Sequence, residues 1–319
     1  MNRKPAVLAY PNSNNLGDYI QSIAAKQLIG DDKIAELDRD HLDQYAGDKV
    51  SLVMNGWFME KPSNWPPSPQ ITPLFLSFHL NPTAEKVMLS EKGITYFKTH
   101  QPIGCRDLHT QRVLESKGIK TFFSACMTLS LKRSAFTTPK KGRKGIVVIS
   151  PLERLLPESQ TFRSTKTNGF LNIFVQTLKF PLKYIKYRKA MSRLMIYLES
   201  QEERIVWTSQ LIDTKNFSEK ERILEARKQL VNLANARLVI TSRIHSALPA
   251  VAFETPVLFL SDGLEHPNQK SRLEGLDSFF PIINSSELIE WQGKQPEAKK
   301  AHLPFVKKIQ KEIDTFFKD

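Results

Sequence analysis

The sequence predicts an α/β protein of two doubly wound, Rossmann-like domains facing each other across a cleft. Three observations predict it. Short apolar runs of strand length alternate with helical patterns through both halves of the chain. A composition break separates the halves: Leu131 to Lys144 carries Lys132, Arg133, Lys140, Lys141, Arg143 and Lys144 among Thr137, Thr138 and Pro139. The 319 residues are also long for one core and suit two domains, 1–136 and 145–319.

In the first half, Ala6 to Tyr10 is a strand, and Pro11 to Asp18 is a turn rich in residues that tolerate unusual backbone angles. A helix follows from Tyr19 to Ile29. Its entry, Asp18-Tyr-Ile-Gln21, is a capping-box variant that makes Asp18 the N-cap. Asn15 and Gly17 shape either a pocket at the strand end or only the turn. Ser51 to Asn55 and Leu74 to Phe78 are strands, the second ending in His79. The Pro-rich connection Met59 to Pro69 has no helical period. Trp57 and Trp65 on these loops either lie under a sugar ring or plug the core. Helices over about Thr83 to Glu91 and Leu108 to Ser116 and a strand at Lys120 to Phe123 complete this half. Arg106 stands just outside a helix start, with Asp107 as the cap, a position suited to an anion.

The second half opens with the buried strand in Gly145 to Ser150. An insertion at about 159–198 carries Arg163, Lys166, Lys179, Lys183, Lys186, Arg188, Lys189 and Arg193 and no acidic residue. Phe170, Phe174, Phe180, Tyr184, Tyr187 and Tyr197 are interleaved at roughly helical spacing. This is either a surface helix for an anionic membrane or polyanionic glycan, or a solvated basic helix packed on its own domain. Arg204 to Thr208 resumes the sheet, and Ser218 to Ala234 is a helix.

A compact βαβ unit follows. Leu238 to Ile240 and Val257 to Leu260 are doubly buried strands, joined by the small-residue helix around Ala247, Ala250 and Ala252. Pro249 belongs near that helix's first turn, which puts its start at Ile244 or His245. Arg243 and His245 then stand where a parallel strand ends and a helix begins, the place where open α/β sheets bind ligands. They are either a site for a charged small molecule or solvated loop residues. Ser261 to Ser271 is a polar loop with Asp262, His266 and Lys270, and Leu303 to Phe317 is a terminal amphipathic helix.

Hydrophobic content of 40% and charged content of 25% are those of a soluble globular chain. Lysines and arginines exceed acids by 46 − 33 = 13, so anionic partners are expected. No nucleic-acid motif accompanies the charge, and nucleic acid is not expected as a partner. Cys105 and Cys126 are too few for a disulfide framework. Without an apolar run of membrane-spanning length or a signal peptide, cytoplasmic residence is expected. Among the 13 glycines no G-x-G-x-x-G follows a strand, and P-loop, H-E-x-x-H and G-x-S-x-G patterns are missing. No metal site or cofactor is expected.

Four short motifs in order resemble the polysaccharide pyruvyl transferase family. They are Asn15-Leu-Gly-Asp18 with Ile20-Gln21, Gly104-Cys-Arg-Asp107 with Thr110, Phe123-Ser-Ala-Cys-Met-Thr-Leu129, and Thr241-Ser-Arg-Ile-His245 with Thr255-Pro256. Ala125 stands where that pattern expects glycine. The resemblance implies an architecture like the GT-B glycosyltransferases, with phosphoenolpyruvate as donor. A pyruvate ketal would then be placed on a sugar of a cell-surface polysaccharide or its lipid-linked precursor. It further implies that Arg243 and His245 bind the donor or act on it and that Arg106 contacts it. Ser246, Asn15, Gly17 and Asp18 are assigned to the same donor side, and Trp57, His79 and Trp65 to the acceptor. Peripheral contact with the inner membrane face accompanies that reading. A nucleotide-sugar glycosyltransferase and a non-catalytic basic polysaccharide-binding protein are the alternatives.

Overall fold

The structure of the chain, a computed structural model, describes residues 4–31, 33–57, 61–137, 142–156 and 170–318, with the side chains of 170–180 left aside. Two parallel sheets carry the fold. The first contains β1 (Lys4–Ala9), β2 (Ala35–Asp38), β3 (Val50–Trp57), β4 (Ile71–His79), β5 (Ile103–Cys105) and β6 (Thr121–Phe123). Their order is β2-β1-β3-β4-β5-β6, and the pairs are parallel. The second contains β7 (Ile146–Ile149), β8 (Ile205–Thr208), β9 (Leu238–Thr241), β10 (Val257–Leu260) and β11 (Ile282–Ile283), in the order β11-β10-β9-β7-β8, again parallel.

The helices are α1 (Leu16–Ile29), α2 (Glu85–Met88), α3 (Glu91–Thr99), α4 (Leu108–Glu115), α5 (Phe170–Glu199), α6 (Glu219–Asn235), α7 (Ile244–Ala252), α8 (Pro267–Lys270) and α9 (Leu303–Lys318). Doubly buried strands explain the apolar runs: every residue of β7, β9 and β10 is buried. Each sheet reverses its strand order once, between β1 and β3 and between β7 and β9. Ligands of open α/β sheets bind beyond the carboxyl ends of strands at such points.

Several expectations are corrected. The N-cap of α1 is Asn15, whose side chain accepts from the Gly17 N–H at 3.1 Å, so the helix starts three residues before the predicted Tyr19. Asp18 lies in the first turn and accepts from Ser13 Oγ at 2.6 Å, which shows why its capping-box reading fails. The single helix expected over Thr83 to Glu91 is two, α2 and α3, with Ser90 capping the second. In α7, which starts at Ile244 as predicted, Pro249 falls in the second turn rather than the first. The short β2 and β11 carry too few apolar residues to register as strands, and β5 reads in sequence only as the approach to Arg106.

A core of α1, α6, α7 and α9 residues joins the two sheets, with Ile20, Leu230, Leu248 and Ile309 in one cluster. The terminal α9 packs on α1 and β4, elements of the first half, although sequence order puts it with the second. Ala125 has φ 54°, the left-handed region that glycine enters without steric cost, which is the physical reason the motif expects glycine there. Of the proposed insertion, residues 157–169, with Arg163 and Lys166, lie outside the described residues, as do the side chains of Phe170, Phe174, Lys179 and Phe180.

Candidate functional site

The carboxyl ends of the two sheets meet around His245. Arg243 is the N-cap residue of α7, so β9 and α7 together fix both Arg243 and His245 at the strand-to-helix turn. Gly17 of α1 packs directly on His245: a Cβ at residue 17 would stand 2.8 Å from His245 Cβ and 2.9 Å from its Nδ1. Gln210, just beyond β8, ties the halves together. Its Nε2 donates to Asn15 Oδ1 at 3.0 Å, its Oε1 accepts from Ser246 Oγ at 2.5 Å, and its carbonyl accepts from Leu16 N at 2.8 Å. Ser246 Oγ also accepts from Gln229 at 2.8 Å, so this serine braces α7 against α6.

Replacing Gly17 with alanine is therefore expected to lower stability by about 1–3 kcal/mol, the usual cost of overpacking. Thermal melting of Gly17→Ala against wild type measures it. An unchanged melting temperature would contradict the contact.

Arg243 makes a two-pronged ion pair with Glu153, its Nε donating to Oε2 at 3.1 Å and its Nη2 to Oε1. Glu153 follows β7 through Leu152, which turns the chain with φ 59°. Arg272 enters from the segment after α8. Its guanidinium lies over the Trp57 ring at 4.8 Å and donates to Gln269 at 3.3 Å. A cavity of about 20 Å³ lies between Asn15, Gln210, Arg243, His245 and Arg272. A wider cleft of about 790 Å³ adjoins it, sharing Leu264 and Leu273.

Arg106, after β5, is 1% exposed, and its Nε and Nη2 have no hydrogen-bond partner. Asp107 Oδ2 stands 3.6 Å from that Nε, at ion-pair distance only. Asp107 performs two tasks. Its Oδ1 caps α4 by accepting from Thr110 N at 2.9 Å, while Oδ2 meets His79 Nδ1 at 2.6 Å. His79, the last residue of β4, is 0% exposed, and its Nε2 is unpartnered, as is Nε2 of His245.

Burial and then the charges of Arg106 and Arg272 hold His245 well below the ordinary imidazole range. Burial and Arg106 push His79 down to about 4, against the pull of Asp107. Burial would raise Asp107, but His79 and Arg106 outweigh it and hold the carboxyl below its usual range. With Asp107 ionised and His79 neutral, the imidazole proton belongs on Nδ1, leaving the Nε2 lone pair as a base. Burial and then repulsion from Arg106 and Arg243 weaken the hold of Arg272 on its proton, yet a guanidinium stays charged at neutral pH. The site is thus a neutral histidine amid buried cations.

Both histidines are depressed on folding, so the unfolded chain binds more protons in mild acid. Their stability contribution is complete above the unfolded value of 6.5 and, for His79, is lost as pH falls through about 4. Asp107, also depressed, gives way only at lower pH. His79→Gln is therefore expected to flatten the loss of melting temperature between those two values. A slope equal to wild type would contradict the assignment.

The structure brings together Arg106, Arg243, His245, Asn15, Gly17, Trp57 and His79. Trp57 stacks on His79 at 6.1 Å. It does not bring Trp65, whose ring packs among Phe75, Phe78, Tyr96 and Phe97 at 5.1–6.2 Å. Trp65 packs half-buried against the first domain's core. Asp262 and His266 are likewise structural, the first holding Ser285 and the second capping α8.

Sequence reasoning missed Glu153, Gln210 and Arg272. Gln210 closes a Thr-Ser-Gln strand end much like Thr241-Ser242. Arg272 lies one residue past the polar loop read as ending at Ser271. Glu153 gives no sequence signal, because only the fold opposes it to Arg243.

No curated protein matches the chain. Among solved structures it is similar to a functionally uncharacterised protein from Klebsiella pneumoniae subsp. pneumoniae NTUH-K2044, at 13% identity over 88% of this chain and 93% of that one, with a TM-score of 0.47. It is also similar to the wall teichoic acid polymerase TagF, at 10% identity over 99% of this chain and 84% of that one, with a TM-score of 0.41. A family model described as polysaccharide pyruvyl transferase matches residues 15–263, well over half of the 319 residues, and includes the strand ends that build the cationic site. The chain belongs to the polysaccharide pyruvyl transferase family.

Proposed function

We propose that the protein transfers the enolpyruvyl group of phosphoenolpyruvate to a sugar of a cell-surface polysaccharide or its lipid-linked precursor, forming a pyruvate ketal. The observation that carries this is the group of guanidiniums around a neutral histidine, with Nε and Nη2 of the buried Arg106 and Nε of Arg272 lacking hydrogen-bond partners. Buried guanidinium N–H groups left without hydrogen bonds are costly, and a compact anion with several charges relieves them. Phosphoenolpyruvate carries a phosphate and a carboxylate, both suited to forked arginine donors. The phosphate goes to Arg106 and Arg272. The carboxylate takes the place of Glu153 on Arg243.

A cavity of about 20 Å³ is too small for the donor, so its entry requires the Arg243–Glu153 pair to part. Bound donor charge then offsets the arginines and raises the affinity of His245 for a proton. From Nε2, His245 delivers that proton to the vinyl CH₂ carbon. His79, oriented by Asp107, removes the proton of the sugar hydroxyl that attacks the central carbon. A second hydroxyl attacks the same carbon, its proton leaves with phosphate, and the C–O bond to phosphate breaks as the ketal ring closes. The acceptor enters through the wider cleft, past Trp57.

The test is incubation of purified protein with phosphoenolpyruvate and candidate saccharides. Phosphate release that depends on the saccharide, together with a ketal methyl signal by NMR, supports the reading. Glycosyl transfer from a nucleotide sugar under the same conditions would replace it.

A further inference from the structure

We infer that the exposed face of α5 is a docking surface for anionic lipid membrane. The inference stands on α5 itself and deepens the proposed function only by saying where an amphiphilic acceptor would be met. Among the described residues no helix is long and apolar enough to cross a membrane, so the contact is peripheral.

The carboxyl-terminal part of α5 is anchored to the second domain by one stripe. Ala190, Leu194, Tyr197 and Leu198 are buried, with Tyr187 and Met191 packed beside them. Helical geometry at 3.6 residues per turn then fixes what faces away. Ile185 and Ile196, about three turns apart, fall on the pole opposite that stripe, flanked by Leu182. These three are 62%, 54% and 67% exposed. Lys189 and Ser192 share that face with them, so exposed apolar side chains are interspersed with a cation there.

Basic residues surround them: Lys183, Lys186, Arg188 and Lys189 are exposed and Arg193 is half-buried, with no acid before Glu199. Beside α5 runs the short helical segment Ser285–Trp291, which exposes Ile289 by 71%. An exposed face that mixes isoleucine and leucine with lysine and arginine is complementary to acyl chains beneath anionic headgroups. Nucleic acid would leave the isoleucines against phosphate, and a second copy of this face would oppose like charges.

The direction of α5 gives this position its use. It crosses from β7 to the parallel β8, so it runs antiparallel to both, with its amino-terminal end toward the sheet's carboxyl edge. His245 and Arg243 stand at that edge. Of the docking face, the Leu182 and Ile185 end therefore points toward the site.

The experiment is sedimentation of the full chain with phosphatidylcholine vesicles and with vesicles containing phosphatidylglycerol, alongside Ile185→Ser/Ile196→Ser and Lys186→Gln/Lys189→Gln. All four substituted side chains are exposed, so the melting temperatures stay at the wild-type value. Wild type is expected to bind only the anionic vesicles, with affinity falling about fivefold per charge removed and falling again as salt rises from about 0.05 M to about 0.5 M. The serine variant is expected to lose retention at the higher salt. Equal binding to neutral vesicles, no binding, or binding unchanged in both variants would overturn the inference. So would a wild-type dimer dissociated by the serine pair, or tighter binding to an oligonucleotide than to vesicles. The donor-dependent melting shift is measured on the same samples without vesicles, so failure of membrane docking and failure of the proposed reaction are read separately.

Discussion

His245→Gln is expected to lower ketal formation by about two to four orders of magnitude, the range general acid–base groups contribute. The variant is expected to keep the rise in melting temperature caused by phosphoenolpyruvate. That pairing distinguishes proton delivery from phosphate binding: a ligand lost would remove the rise, and an acid lost would not. The same experiment in deuterium oxide follows the proton itself, since label enters the ketal methyl only through the step assigned to His245. In the unliganded protein burial, Arg106 and Arg272 keep His245 neutral, and in the proposed reaction it takes its proton once the donor is bound. The turnover rate is therefore expected to fall as pH rises through the value His245 takes in the complex. Wild-type turnover in His245→Gln would remove it from the reaction.

Arg106→Met is expected to abolish donor binding while the empty protein stays as stable or becomes more so. Arg106 is buried at 1% exposure, its Nε and Nη2 find no hydrogen bond, and its ion-pair neighbour Asp107 is already held by His79 and the α4 backbone. A methionine of similar length fills the space without a charge to desolvate. Activity and stability then move apart, the pattern of a residue kept for function. A variant that melts well below wild type would show that Arg106 holds the fold together instead.

Much of this site was legible in the sequence because its parts lie at strand ends, where period and turn chemistry are plain. Leu238–Thr241 and Val257–Leu260 are strands within a residue of their predicted bounds, and α7 starts at Ile244 as expected, although Pro249 sits a turn later than predicted. Arg106 and Asp107 were found because a polar pair before an amphipathic run marks a helix start. The miss at α1 has a local cause: Asn15 and Asp18 are both good caps, and only the turn geometry selects Asn15. The unread partners have a non-local cause. Glu153 meets Arg243, and Arg272 meets Trp57, across long sequence separations that no spacing rule reaches. His79 was marked only for a sugar, and its dyad with Asp107 needed β4 and α4 to be neighbours. Trp65 illustrates the converse, an aromatic on a Pro-rich loop that the aromatic core claims.

The central claim is that the buried guanidiniums form a phosphoenolpyruvate site. It is tested most directly by the melting temperature of the purified protein with phosphoenolpyruvate, inorganic phosphate and UDP-sugars, repeated on Arg106→Met. A rise with phosphoenolpyruvate that exceeds the rise with phosphate, is not seen with UDP-sugars, and is lost in Arg106→Met is the predicted result. A rise with UDP-sugars alone, or a phosphoenolpyruvate rise that survives in Arg106→Met, would contradict it.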